Sequence, residues 1–188
     1  MTTVLVTDAL ESHIPAIQAI YAHHVLHGLA SFETEAPDVA EMLARYQKTR
    51  ASGLPWWVAL EGDRVIGYCY LSFYRPRYAY RYTVENSVYI RHDETGRGTG
   101  KRLVATAIHW AEQQGYRQMV ANVGDSNNRA SLALHRSLGF EQMGVLRAVG
   151  LKHGQWLDTV LLQRPLGVGA ATLPDMEPKK YGTTGHCD

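Results

Sequence analysis

The 188-residue chain predicts an α/β domain in which helices pack against one mixed sheet. Three observations carry this. The apolar patterning runs strand, two helices, two or three strands, helix, strand, helix and two strands. Residues 55–73 read as a hairpin, because two apolar runs flank the turn Glu61-Gly62-Asp63-Arg64. Residues 84–102 read as a strand, a short link, a glycine-rich turn and the start of a helix. An apolar content of 45% and a charged content of 20% suit a single globular domain with a full-sized core.

Residues 4–6 predict a short first strand. A helix follows through Ile14, Ile17, Ile20 and Tyr21 to about His27, with Ser12 or Asp8 as its expected cap and Gly28 as its end. His23 and His27 stand four apart and share a face of this helix. With no third ligand in view, they are expected to form a solvated polar face and no metal pair. After the loop 30–36, Pro37 and Asp38 open a second helix that carries Val39, Met42, Leu43 and Tyr46. The hairpin strands are expected at 55–60 and 65–73.

The next stretch, Tyr74-Arg75-Pro76-Arg77-Tyr78-Ala79-Tyr80-Arg81-Tyr82, packs three arginines and four tyrosines into nine residues. Arginine recognises carboxylate or phosphinate oxygens with a planar fork, and tyrosine makes a rigid wall with a polar tip. The same density would serve a dimer contact. An RNA-stacking patch is disfavoured by a net charge of only +1.

In the strand at 84–90, Val84, Asn86, Val88 and Ile90 share one face, and Glu85, Ser87 and Tyr89 the other. Gly96, Gly98 and Gly100 then alternate with other residues. A helix with an apolar stripe at Leu103, Val104, Ala107, Ile108 and Ala111 runs to about Gln114, where Gly115 ends it. A glycine turn lets backbone approach a ligand, and a helix N-terminus offers free N–H groups and a positive dipole end, which together suit phosphate. The dinucleotide fingerprint fails, because Lys101 stands at its third glycine. The Walker sequence fails at Thr95 and again at Arg102. The plain alternative is a connecting turn with no ligand.

A short strand is expected at 119–123, a turn at 123–131 and a helix through Leu132, Leu134 and Leu138 to Gly139. Phe140 begins a strand towards Leu146. Residues 151–156 hold a turn, and 157–163 alternate as the last strand. The domain is expected to span 1–164. Residues 165–188, rich in Gly, Pro, Thr and charge, read as a poorly ordered or surface-draped tail.

The two cysteines, Cys69 and Cys187, offer neither a disulfide framework nor a zinc site, so a reducing cytoplasmic setting and no metal are expected. No signal peptide is seen, and no apolar run approaches the roughly 18 residues of a membrane span. Neither a nucleic-acid nor a membrane partner is expected.

The glycine turn resembles the coenzyme A pyrophosphate loop of the GNAT acetyltransferases, [Q/R]-x-x-G-x-[G/A]. Here it is Thr95-Gly96-Arg97-Gly98-Thr99-Gly100, with Thr95 a departure at the first position. Where backbone amides do most of the binding, acetyl-CoA is expected to bind with altered affinity. The run from Asn127 to Phe140 is similar to a second segment of that family. More specific are Phe32-Glu33-Thr34-Glu35, Arg75-x-Arg77, Tyr80, the run Thr83 to Tyr89, Leu134-His135 and the run Leu151 to Asp158. These resemble the phosphinothricin and methionine sulfoximine or sulfone N-acetyltransferases, and the likeness covers about residues 3–164.

The resemblance implies the GNAT fold, with a mostly antiparallel central sheet, and acetyl-CoA as co-substrate. Its cofactor residues would be Val88, Tyr89, Ile90, Gly96, Arg97, Gly98, Thr99, Gly100, Lys101, Asn127 and Ser131. The acceptor would be a small amino-acid analogue such as L-phosphinothricin, L-methionine sulfoximine or methionine sulfone. It would be held by Phe32, Arg75, Pro76, Arg77, Tyr80, Glu85 and Asn127. Phe32 could equally be ordinary packing.

An amine must lose a proton before it attacks a thioester, and Glu85 is the candidate base, unless it is merely the ion-pair partner of Arg75, Arg77 or Arg81. The family uses backbone N–H groups at positions matching Val88 to Ile90 for the oxyanion. His135 stands where most members have tyrosine. It is either a proton donor to the departing thiolate or a hydrogen-bonded packing residue. No side-chain nucleophile is needed, so direct transfer is expected. The family also implies a homodimer. Two alternatives stay open: an acetyltransferase for another amine, and a non-catalytic CoA-binding sensor.

Overall fold

A computed structural model describes residues 3–175, 177 and 178. Its elements are β1 (Val4–Asp8), α1 (Ile14–His27), α2 (Val39–Ala51), β2 (Trp56–Glu61), β3 (Arg64–Phe73), β4 (Thr83–Ile90), α3 (Thr99–Gln114), β5 (Gln118–Gly124), α4 (Arg129–Ser137), β6 (Glu141–Lys152) and β7 (Gln155–Pro165). They build one seven-stranded sheet in the order β1-β2-β3-β4-β5-β7-β6. Every pairing is antiparallel except β4 with β5. The fold is thus the expected GNAT arrangement of a mixed, mostly antiparallel sheet flanked by helices.

The alternation along each strand gives the sheet two apolar faces, and the helices cover both. Leu103, Val104, Ala107 and Ala111 of α3 pack on Val84, Met119, Ala121 and Val123. Ile14, Ile17, Ile20 and Val25 of α1, with Met42 and Tyr46 of α2, pack on Trp56, Val58 and Tyr68. Fully burying one such aliphatic side chain is worth about 1.5–3 kcal/mol, so the stripes read from the sequence are what fix the helices to the sheet.

Some boundaries differ from expectation. Neither Ser12 nor Asp8 caps α1. Asp8 is still paired in β1, residues 11–13 make a 3₁₀ turn, and His13 occupies the cap position ahead of a proline. Asp38 does cap α2, its Oδ1 accepting from the Glu41 N–H at 2.8 Å. β6 runs on to Lys152 and does not stop near Leu146. Its register slips between Leu146 and Gly150, where Ala148 takes φ 53° and donates its N–H to Asp158 Oδ1 at 2.9 Å.

The expected domain boundary at 164 also falls too early. Leu166 is 0% exposed within the core. Beyond it, the Arg117 guanidinium donates to the Gly169 carbonyl at 2.8 Å. Residues 176 and 179–188, including Cys187, lie outside the described residues.

What positions the site is the seam between β4 and β5. The two strands pair only at Thr83–Gln118, Val84–Met119 and Glu85–Val120. Past Glu85 they part.

Candidate active site

The parting leaves one edge of β4 without a strand beside it. The Arg91 N–H donates across to Ile66 of β3 at 2.9 Å. By the alternation of backbone direction, Ile90 and Val88 turn their N–H and C=O groups into the gap. There the Ile90 carbonyl accepts from His24 Nε2 at 2.7 Å. A cleft of about 510 Å³ fills the gap, lined by residues 86–90 of β4, 94–101 of the glycine turn and 121–124 of β5. From α4 it takes Ser131, Leu134 and His135.

Val88, Tyr89, Ile90, Gly96, Arg97, Gly98, Thr99, Gly100, Lys101 and Ser131 all line this cleft. Asn127 does not. Its N–H turns to Asp125 Oδ1 at 3.0 Å, and its neighbour Asn128 takes the place at the cleft. Asn128 caps α4, its Oδ1 accepting from the Ser131 N–H at 3.2 Å.

The turn has the features of a phosphate site. Gly96 and Gly98 sit at φ 76° and 75°, which side-chain-bearing residues rarely adopt, and Gly98 is the cap of α3. The Thr99 Oγ1 at the helix start is buried and without a hydrogen-bond partner among the described residues. Lys101 lines the cleft as a cation, whereas Arg97 is spent on structure, held by Glu61 at 2.6 Å and by Glu94. Gly100 answers to packing as well: a Cβ there would stand 2.6 Å from Leu134 Cδ1.

His135 is 3% exposed. Its Nδ1 lies 2.8 Å from the Ser131 carbonyl and its Nε2 3.0 Å from the Asn86 side-chain oxygen position. Burial pulls its pKa down and favours the neutral ring. A neutral ring that donates Nδ1–H to Ser131 needs a donor at Nε2. Asn86 can supply one by turning its amide, at the cost of the long 3.4 Å bond its Nδ2–H gives the Val120 carbonyl.

A second cavity of about 450 Å³ adjoins the cleft. Tyr21, Ser31, Phe32, Glu33 and Thr159 line it, and Ala30, Tyr89, Asn122 and Gly124 belong to both spaces. Its wall is the loop between α1 and α2, which is held at three points. Glu33 is gripped by Arg45 at 2.7 and 3.0 Å, which holds its carboxyl below the usual range. Tyr21 gives its hydroxyl proton to Glu33, so the Ser31 hydroxyl, 2.9 Å away, donates to Tyr21. Lys152, 3% exposed, donates Nζ–H to the Ser31 carbonyl at 2.6 Å. Phe32 fits a slot between two glycines: a Cβ at Gly124 would stand 2.8 Å from its ring and one at Gly150 2.6 Å.

Glu85 is the last residue of β4 paired to β5. Burial raises its pKa, and the neighbouring Asn122 amide partly offsets the rise. Glu85 lines neither cavity, whereas Asn122 lines both. Among the described residues it pairs with none of Arg75, Arg77 and Arg81. Arg81 is taken by Glu177 at 2.7 Å.

Arg75, Pro76, Arg77 and Tyr80 are not brought to this second cavity. They sit on the loop before Thr83, at the paired end of β4, while the strands open towards Ile90. The sequence reading also missed Asn122 and Lys152. For Asn122 the one local signal is polarity amid the apolar run 119–123, and Lys152 has none, since its strand also carries Glu141, Gln142 and Arg147.

Among the described residues no helix is long and apolar enough to cross a membrane, and no His, Cys, Asp or Glu cluster is suited to a metal.

The family profile of the acetyltransferase (GNAT) family matches residues 17–140. A phosphinothricin N-acetyltransferase of Alcaligenes faecalis is 53% identical over 165 residues, 88% of this chain and 84% of that one. An L-methionine sulfoximine/L-methionine sulfone acetyltransferase of Salmonella typhimurium is 38% identical over 156 residues, 83% of this chain and 91% of that one. Among solved structures, the Sinorhizobium meliloti phosphinothricin acetyltransferase in complex with AcCoA superposes with a TM-score of 0.91. It is 41% identical, over 97% of this chain and 98% of that one.

Proposed function

Because this chain belongs to the GNAT acetyltransferase family, we propose that it acetylates the α-amino group of a small amino-acid analogue, with L-phosphinothricin, L-methionine sulfoximine and methionine sulfone as the model acceptors. The observation that carries the reading is the meeting of two cavities at Tyr89, Asn122 and Gly124, beside the one carboxylate at the end of the β4–β5 pairing.

Acetyl-CoA, lying along the cleft, supplies the thioester. The glycine turn, Lys101 and the Thr99 hydroxyl hold its phosphates. The Val88 N–H, aimed into the gap, is a preplaced donor for charge that develops on the thioester oxygen. Glu85 takes a proton from the acceptor ammonium. A free carboxylate is a weak base for an amine whose pKa is about 8 or more, and burial that raises Glu85 narrows that gap.

Transfer is direct, because the described thiol, Cys69, is buried in the core and its pKa is pushed up, which silences it as a nucleophile. His135 organises Asn86 and α4. With its neutral ring's proton committed to the Ser131 carbonyl, it is a poor donor to a thiolate. Arg75 and Arg77 line neither cavity but make no ion pair among the described residues, so they are proposed as cations for the anions of an acceptor that extends past Glu85 towards the paired end of β4. An Arg77→Ala variant is expected to raise the acceptor KM several-fold, and an unchanged value removes it from the site.

A homodimer is proposed from the exposed apolar row on β6 and β7, namely Met143, Leu146, Val149, Leu151 and Trp156, the last 67% exposed. Trp156→Lys is expected to shift the sedimentation coefficient towards that of a monomer, and the same value for both proteins refutes it.

The deciding experiment is thiol release from acetyl-CoA. It compares the three analogues with spermidine, an aminoglycoside and a short peptide, and uses Glu85→Gln as control. Turnover on the analogues that collapses in the variant supports the reading. Turnover on the other amines alone refutes the acceptor class.

A further inference from the structure

Asn122 belongs to no motif of the sequence, and nothing in the packing explains it. Asparagine is a poor strand former, yet this one stands exposed near the end of β5, between the buried Ala121 and Val123. Its register is informative. Glu85 pairs with Val120, so Asn122, two residues on, lies on the face of Glu85 and one step further into the opening. Glu85 itself reaches neither cavity, while Asn122 lines both. The base is therefore set back from the reacting groups, and Asn122 stands between.

The direction of the hydrogen bond follows from chemistry. The two side chains are neighbours on one face of the sheet, and a carboxylate only accepts, so a bond between them runs from Asn122 Nδ2–H to Glu85. That leaves Oδ1, an acceptor, for the junction of the cavities. An acceptor is what an ammonium or amine needs there.

We propose that Asn122 is a catalytic residue, holding the acceptor amine through Oδ1 and the Glu85 carboxylate through Nδ2–H, so that the proton leaves along a fixed line. The step is a proton transfer: the ammonium loses one N–H proton to the carboxylate, directly or by one water, giving a neutral amine and a neutral carboxyl group. This inference rests on the reading of Glu85 as base, so its test carries a separate arm for that residue.

The experiment measures kcat and kcat/KM with acetyl-CoA and methionine sulfone from pH 5 to 10 for the intact chain, Asn122→Ala, Asn122→Asp and Glu85→Gln, with thermal melts of each. Asn122→Ala is expected to lower kcat about 10–100-fold at pH 7.5 while acetyl-CoA KM stays within about twofold. Its acid limb moves to higher pH, because the carboxylate has lost a donor. Asn122→Asp moves the limb further by like-charge repulsion. Asn122 is exposed, so both variants are expected to melt like the parent.

A fall in kcat with an unmoved acid limb would mean a packing role and overturn the proposal. So would parental kinetics in Asn122→Ala beside a collapsed Glu85→Gln, which leaves the Glu85 reading standing. Parental turnover in Glu85→Gln removes the base and the inference together.

Discussion

Gly150→Ala is the substitution whose effect is most directly worked from the geometry. A Cβ at position 150 would stand 2.6, 2.8 and 3.2 Å from three ring carbons of Phe32. Apolar carbons rest at about 3.5–4.0 Å, so the ring must withdraw by roughly 1 Å. Gly124 bounds the other edge, where a Cβ would stand 2.8 Å from the ring, so Phe32, 39% exposed, can withdraw only towards solvent and away from the cavity. The loop beneath is tied down through Ser31 and Glu33.

Overpacking of this kind costs about 1–3 kcal/mol. In a chain of this size each kcal/mol lowers the melting temperature by about 2–4 °C. The larger effect is expected in catalysis, since displacing a positioning wall by about 1 Å can cost as much as ~10²-fold. Steady-state kinetics should show acceptor kcat/KM reduced by about 10–100-fold with acetyl-CoA KM unchanged. Adding Phe32→Ala to the variant should recover the melting temperature and leave the acceptor defect. Parental acceptor kcat/KM in Gly150→Ala would refute Phe32 as a wall of the pocket.

Two further outcomes are expected. Thr99→Val removes a buried hydroxyl that has no partner among the described residues, so the melting temperature without ligand should hold or rise slightly. The stabilisation by saturating acetyl-CoA, followed by scanning fluorimetry, should shrink, and an undiminished shift would mean the hydroxyl does not reach the ligand. Glu85→Gln should stabilise the fold above the carboxylate range. A carboxyl whose folded pKa is raised contributes stability below its unfolded pKa and loses it as pH rises through the folded one. The gain of the variant in urea midpoint should therefore be small near pH 4 and grow towards pH 8. A gain that does not vary with pH would refute the burial argument.

The fold was legible because its signals are local. The stripe Leu103, Val104, Ala107 and Ala111 and the alternation of 84–90 each require one register against the sheet. The glycine turn was legible for the same reason, since Gly96 and Gly98 carry the positive φ that a tight approach needs. The cap of α1 was not, because either candidate satisfies the local rule and strand pairing decides that Asp8 belongs to β1. The end of β6 was hidden by a slip at Ala148 that mimics a turn.

The candidate site was legible as a glycine turn beside a strand edge and less so in its membership. Asn127 and Asn128 are equivalent by spacing, and only the cap geometry of α4 selects the second. Asn122 and Lys152 acquire their neighbours through the β4–β5 seam and the Ser31 loop, contacts with no trace in either local pattern.

β6 has two tenants. Gly150 and Lys152 meet Phe32 and Ser31, while Val149 and Leu151 beside them face outward in the exposed apolar row. Successive residues of a strand are rigidly coupled through one backbone, so a load on the outer row is felt at the inner pair. The width of the proposed acceptor pocket would thereby depend on anything that covers that row. Acceptor KM is expected to change with protein concentration across the range in which the covering assembles, with acetyl-CoA KM constant. A flat acceptor KM through that range would show the strand stiff enough to isolate its two faces.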